Sequence, residues 1–491
     1  MFPATGATAL LAFPPFEMHL IAWAALVPLM AATEGRPWHR LFTEGYLYGL
    51  GFYGVGLIWL PDAIGSFTSY TVPGSWGAFA AIAGFLSLFP AIFRWLLHHV
   101  RSPAVRLFVF APALWLALDT VRRFAWGGLP WLELGASQLP GPLASAYPLV
   151  GQPGVTVMLV LLNGCIITLA AGLRDRSPGR HRDSAIIVTA VIVGGTALIG
   201  RAGWTEPAGD PIRLGIIDTR IEDLHQRGLK QRDALQDRYR SLIGNPPADA
   251  DLLVLPEGAL GPDSGALYRA LSATSSESVA VLTGSLGTSV GGDRTNRAVL
   301  HTATGVASYR KQRLVPFAEA RDNWLAGIVL GDADSALLPG HPEGHLSADP
   351  FDLAVAICWE IRFGNVIARQ IRAGAEVIVN PANESWLGSL AAAQRSVATV
   401  GVRAAEFGRP ALRITNSGPS AYFGPKGQLH WSGGGDRAGA RLLTVQPYIG
   451  RTPYLALGME TVLRSAALPL VALFLAHGLL SGNPQRSTMT D

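Results

Sequence analysis

The stretches ADLLVLPEG (250–258) and DLAVAICWE (352–360) share one construction: a short apolar run of strand length that stops abruptly in residues able to do chemistry. Five similar runs surround them, RLGIID (213–218), SVAVLTGSL (278–286), NRAVLHT (296–302), AEVIVNPANES (375–385) and RPALRITNSG (409–418). Polar, helix-compatible stretches lie between, among them EDLHQRGLKQRDALQDRYRSLI (222–243) and SLAAAQRSVATVGVRAAEFG (389–408). Strands alternating with helices predict a layered α/β domain over 204–449, with its functional residues at strand ends.

Outside that window the chain changes character. Its 491 residues are 49% hydrophobic and only 15% charged, with a mean hydropathy of +0.28, whereas soluble domains carry about a quarter charged residues. Disorder, collagen and coiled coil are excluded by the same composition. Apolar stretches at 17–32, 43–60, 76–98, 103–121, 148–172, 184–200 and 461–480 approach the length needed to cross a bilayer. The chain therefore divides into N-terminal transmembrane helices (1–203), the α/β domain (204–449), and a Gly/Pro/Thr-containing tether with a last transmembrane helix (450–491). About seven spans are expected, with an eighth in the apolar start, which has no basic residue before it and does not read as a cleavable signal.

Arg36 and Arg40, Arg94, Arg101 and Arg106, and Arg174, Arg176, Arg180 and Arg182 sit in alternate linkers, while 61–75 has no basic residue. Under the positive-inside rule those linkers face the cytoplasm and the α/β domain faces the other side, the periplasm in a Gram-negative-like cell. Arg122 and Arg123 run against this pattern. The net charge of +4, from 39 basic and 35 acidic residues, is too slight for a nucleic-acid footprint.

Three strand ends in the α/β domain carry Glu257, Lys311 (in SYRKQRLVPFAE, 308–319) and Cys358. A thiol is a weak nucleophile until it loses its proton, so a carboxylate to take that proton and a cation to hold negative charge complete the set. Only three of the basic residues are lysine: Lys230, Lys311 and Lys426. A compact ammonium kept among so many arginines points to a site that needs one. The other cysteine, Cys165 in VLLNGCIITL (160–169), reads as a small apolar filler. The eleven histidines are scattered along the chain and give no metal site.

With PEG, K-x-x-L-V-P-F-x-E and C-W-E in this order, the domain resembles the nitrilase superfamily, whose fold is an α-β-β-α sandwich. With the membrane part, the chain resembles the apolipoprotein N-acyltransferase family, the membrane-integrated branch. FPPFEMHLIAWAALVPL (13–29), GFYGVGLIWL (51–60), APALWLALDTVRR (111–123), 127–155 and 408–427 share that likeness. The resemblance implies Glu257 as general base, Cys358 as nucleophile and Lys311 beside the oxyanion. It also implies Glu319 and Glu360 as further active-site glutamates, and Asn296 and Trp359 as pocket residues.

The implied reaction passes the sn-1 acyl chain of a phospholipid through a Cys358 thioester to the α-amine of a diacylglyceryl-cysteine apolipoprotein. It needs neither cofactor nor metal and no nucleic acid, and a monomer suffices. The implied location is the bacterial inner membrane. Trp126 and Trp131 are expected at the lipid interface. A membrane-tethered amidase, or a vestigial nitrilase-like scaffold in an assembly such as conjugation machinery, are the alternatives. The sequence departs from the family at Ala318 for glycine, at Glu384 for aspartate, and around Gln394, where aromatic and histidine residues are expected. A tryptophan is also missing from EDLHQRGLKQRD. These departures bear on substrate preference and leave the trio intact.

Overall fold

The computed structural model describes all residues except 32, 68–69, 125–127, 175–179, 201, 219–240, 242–246, 248, 260–278, 289–293, 317–318, 321–336, 343, 348–350, 434–438 and 481–491. Trp126, Ala318, Lys230 and most of the 222–243 stretch therefore lie outside the described residues.

Among the described residues, four helices are long and apolar enough to cross a membrane: Val72–Leu97, Pro103–Phe124, Pro142–Leu173 and Met459–Ala476. Three shorter apolar helical segments, Phe2–Ala12, His19–Met30 and Asp183–Ile199, accompany them. Two expected spans are broken up. The 17–32 stretch forms a 3-10 turn at His19–Trp23 and a single helical turn at Val27–Met30. The 43–60 stretch is divided between helix Trp38–Gly49, a π turn at Leu50–Gly54 and a new helix from Leu60. Glycine explains part of this, because helix 38–49 lies directly on helix 72–97. A Cβ at Gly45 would meet the Pro90 carbonyl oxygen at 2.5 Å, and one at Gly49 would meet Ser87 Cα at 2.6 Å; small residues permit such approach. The carbonyls freed where the 17–32 stretch breaks are recovered by Arg94, which donates to Pro28, Leu29 and Ala31 and pairs with Glu44 at 2.6 Å.

The α/β domain contains strands β1 (Thr205–Pro207), β2 (Ile212–Asp218), β3 (Leu252–Val254), β4 (Ala280–Thr288), β5 (Arg294–Thr302), β6 (Gly305–Arg310), β7 (Leu346–Ser347), β8 (Asp352–Val355), β9 (Val377–Ala382), β10 (Ala411–Thr415), β11 (Ser420–Phe423), β12 (Leu429–Gly433), β13 (Gly439–Val445) and β14 (Tyr448–Gly450). They form two six-stranded sheets, ordered β13-β2-β3-β4-β5-β6 and β7-β8-β9-β10-β11-β12. In both, the second to fourth strands are parallel and every other pairing is antiparallel. β1 pairs with β14, Thr205 opposite Gly450, tying together the chain segments that enter and leave the domain.

The sheets face each other across a core that joins Leu214, Ile216 and Val254 to Leu353, Val355, Val379 and Leu412. The second sheet's other face is covered by helices Gly364–Arg372 and Leu390–Phe407. Helix 390–407 is buried on two sides, which accounts for its small residues. Val400, Ala404 and Phe407 pack on the sheet side, while Ala392, Ala393, Val402 and Ala405 join the core of the membrane part. The expected tether at 450–458 is docked rather than loose: Thr452 and Leu455 are buried, and Thr452 Oγ1 donates to the Glu406 carbonyl. This layered nitrilase-like sandwich brings the ends of β3, β6 and β8 to one place.

Candidate active site

β3 is buried throughout, so the chain that leaves it at Pro256 delivers Glu257 into the interior, and Gly258 makes the turn at φ +68°. Lys311 follows β6, its N–H held by the Asn296 carbonyl at 2.9 Å. Its ammonium is 1% exposed and donates to Glu257 Oε1 and Glu319 Oε1, each at 2.9 Å. Asn296 on β5 donates Nδ2 to the same oxygens, at 2.6 Å to Glu257 and 3.3 Å to Glu319. The remaining oxygens are also occupied: Glu257 Oε2 accepts from the Asn383 N–H at 2.9 Å, and Glu319 Oε2 from Val315 N–H at 2.8 Å.

Cys358 comes three residues after the last ladder pair, Val355–Val379. It takes φ +52°, a left-handed conformation uncommon outside glycine and a mark of functional turns. A one-turn 3-10 helix, Cys358–Arg362, follows. The thiol is 6% exposed and lies 3.8 Å from the Asn383 carbonyl oxygen, and its contact with Glu257 favours the charged form of that carboxylate.

The elbow is fastened from beneath. Asn380 donates to the carbonyls of Ala356 and, at 3.0 Å, Cys358, and Arg413 binds Asn380 and Glu384. Glu360 is fully buried and turned away from the thiol. It accepts from Ile357 N–H at 2.8 Å, Gln312 N–H at 2.6 Å, Arg313 N–H at 3.0 Å and the Tyr309 hydroxyl at 3.1 Å. It thus joins the residues after Lys311 to the residue before Cys358.

The charges follow from this packing. Burial alone would raise the Glu257 carboxyl, but Lys311 and the Asn296 and Cys358 contacts hold it below the usual carboxylate range. Lys311 resists its own burial through Glu257, Glu319 and Cys358 and titrates well above the usual lysine value. The Cys358 thiol is pushed up by burial and then by the Glu257 charge, against the pull of Lys311 and Arg413. At neutral pH the set is a carboxylate, an ammonium and a protonated thiol.

Beside Cys358 opens a cleft at the seam between the two parts of the chain, with about 870 Å³ of empty space when the solvent at its open mouth is included. The membrane part lines it with Phe13, Leu57, Trp59 and Trp131; the α/β domain adds Trp359 and Trp386. These indoles run edge to face, Trp386 to Trp59 at 6.0 Å, Trp59 to Trp131 at 5.6 Å and Trp131 to Trp359 at 5.3 Å. An apolar wall of this kind suits an acyl chain. Asp119 and Glu133, carboxylates near membrane segments, are paired with Arg122 at 2.9 Å and with Arg123 respectively.

The structure thus gathers Glu257, Lys311, Glu319, Asn296 and Cys358 at one point, with Trp359 in the cleft wall and Glu360 as a support outside it. Asn383, whose N–H holds the carboxylate and whose carbonyl meets the thiol, escaped the sequence reading. Its only signal was a polar residue closing the apolar run VIVNPAN.

Residues 5–165 match the family described as "Apolipoprotein N-acyltransferase N-terminal domain", and residues 239–447 match "Carbon-nitrogen hydrolase". An apolipoprotein N-acyltransferase of Pseudomonas aeruginosa (strain LESB58) is 30% identical over 475 residues, covering 92% of this chain and 90% of that one. The chain belongs to the apolipoprotein N-acyltransferase family. A second relative of that name, from Photobacterium profundum, is 26% identical over 482 residues, with 92% and 90% covered. Among solved structures, Saccharomyces cerevisiae Nit3, of the nitrilase superfamily, is 14% identical, covers 53% of this chain and 97% of its own, and has a TM-score of 0.37. Membership of the apolipoprotein N-acyltransferase family spans both parts of the chain, so the cleft at their seam is built from family elements on each side.

Proposed function

We propose that the chain transfers an acyl chain from a phospholipid to the α-amine of the N-terminal diacylglyceryl-cysteine of apolipoproteins, through a thioester on Cys358. The observation that carries this reading is the meeting of Glu257 and Lys311 with Cys358, which itself lines a cleft whose far wall is membrane-part tryptophan and leucine. Glu257 takes the thiol proton as sulfur attacks the sn-1 ester carbonyl. The oxyanion is held by Lys311 and the Trp359 N–H, a site where fixed donors lower the barrier most. The C–O bond breaks, the alkoxide takes the proton back from Glu257, and a lysophospholipid leaves. The amine then attacks the thioester, Glu257 receives its proton, and the amide forms as the thiol is restored. Because the resting thiol is protonated and its base is beside it, proton transfer and attack occur together.

Glu319 and Asn296 fix Lys311 and Glu257, and Glu360 positions the elbow. Residues 1–203 and 450–491 are assigned to the membrane and 204–449 to catalysis. The arginine distribution supports an inner-membrane enzyme with the α/β domain on the extracytoplasmic face, and the reaction needs no more than a monomer.

Incubating the full chain with phospholipid is expected to add the mass of one acyl group, lost with hydroxylamine and absent in Cys358→Ala. Adding a diacylglyceryl lipopeptide should discharge it to the peptide amine. An adduct that persists in the variant, or discharge to water alone, would overturn the reading.

A further inference from the structure

Three guanidinium groups line the cleft beside Cys358: Arg362, Arg395 and Arg413. Arg413 is neutralised by Glu384. The other two make no ion pair among the described residues. Arg362 donates Nη2 to Ser396 Oγ at 3.2 Å, and Arg395 donates Nε and Nη1 to the backbone carbonyls of Pro14 at 3.1 Å and Gly56 at 2.7 Å. Burial pushes both down to about 10, which still leaves them charged at neutral pH. Glu133 and Glu384 in the same lining reach Arg362 only through longer-range attraction, and a buried cation with no direct carboxylate partner is costly unless an anion completes it.

The geometry narrows that anion. Arg362 ends the five-residue 3-10 segment that starts at Cys358, so its backbone is only about 8 Å along the axis from that of the nucleophile, and both side chains line the same cleft. In a phospholipid one glycerol unit separates the sn-1 ester from the phosphate, so a cation reading the phosphate must lie that near the thiol. The acceptor offers an amine, which a guanidinium repels. Planar guanidinium forks match phosphate oxygens well. Arg395 and Ser396 also lie in the SLAAAQRSVATV stretch, where this sequence departs from the family's aromatic and histidine pattern.

We propose that Arg362 and Arg395 form an anion subsite that takes the phosphodiester of the donor phospholipid and sets its sn-1 ester against Cys358. The assignment rests on the thioester mechanism above and names what positions its first substrate. Because the phosphodiester is common to all phospholipids, loss of the subsite weakens every headgroup class together.

The test uses the full chain in detergent micelles and follows thioester formation from three dipalmitoyl donors: phosphatidylethanolamine, phosphatidylglycerol and the phosphate-free diacylglycerol. For Arg362→Gln and Arg395→Gln the preference for each phospholipid over diacylglycerol is expected to fall roughly tenfold to a hundredfold, through KM. The lysine variants should recover part of it. An unchanged preference would overturn the subsite, and so would a change for one headgroup alone. Equal loss with all three donors would also overturn it and reduce the arginines to clamps between the two parts of the chain. Wild-type protein that forms no thioester from any donor gives a different pattern, and it is the proposed function that then fails.

Discussion

In the first sheet, β3, β5 and β6 lead to Glu257, Asn296 and Lys311, groups joined by hydrogen bonds of 2.6–2.9 Å; in the second, β8 leads to one neutral thiol on a left-handed backbone. The strand orders and directions are the same, yet the two sheets do opposite work. The first assembles charge, one ammonium between two carboxylates. The second holds a strained elbow with Asn380 and Arg413 beneath it. The electrostatic environment is complete before the nucleophile is counted, since Lys311 already has two carboxylates. Glu360 is the member that crosses between them, bonding N–H groups next to Lys311 and next to Cys358.

The comparison breaks most severely at Lys311. Lys311→Met would leave Glu257 and Glu319 buried without their cation, an arrangement that costs about 3–5 kcal/mol of stability. Thioester formation is expected to vanish and the unfolding midpoint in detergent to drop. A variant with wild-type stability and measurable acylation would mean that the first sheet's charges are not mutually dependent.

Glu257→Gln keeps the shape and removes the base. Thioester formation is expected to slow by roughly a hundredfold to ten-thousandfold, the usual contribution of a positioned base, with the fold retained. In the wild type the Glu257 carboxyl lies below the ordinary value of 4.5. Its charge, and the stability that comes with it, are therefore present above that value and lost only as pH falls through the lower folded one. A rate profile whose acid limb rises instead near neutrality would assign the base elsewhere.

The smallest effect sharpens the comparison at the crossing point. Burial pushes Glu360 up to about 7 from 4.5, against the N–H groups of Arg313, Ile357 and Gln312. The folded protein therefore keeps a proton that the unfolded chain releases, so this group's contribution declines as pH rises from 4.5 to 7, by roughly 3 kcal/mol in all. Glu360→Gln should flatten that slope when unfolding midpoints are compared at about pH 5 and about pH 7.5. Parallel slopes in the two proteins would place the titration on another group.

Much of the site was legible because chemistry-bearing residues closed apolar runs: PEG after LLVL, CWE after LAVAI, and a rare lysine in an arginine-rich chain. Glu319 and Asn296 became readable only through the family resemblance. Asn383 was hidden, since its contribution is a backbone N–H and a carbonyl, which every residue type offers. Glu360 was visible as a glutamate beside the nucleophile, yet its direction was not, because the left-handed turn at Cys358 decides which way the next residues point. The spans at 17–32 and 43–60 read as continuous because hydropathy sums composition and ignores where a glycine lets another helix press close.

What the sequence determined alone was the partition into apolar and α/β parts, the strand ends that carry function, and the family, since these depend on local pattern and order. Only the tertiary structure decided that two like-built sheets bring Glu257, Lys311 and Cys358 together. It also decided that helix 390–407 is shared by both cores and that, among the described residues, Arg413 has an ion pair while Arg362 and Arg395 have none. Charge balance inside a protein is set by which groups meet at a few ångströms, and that distance is a property of the folded chain.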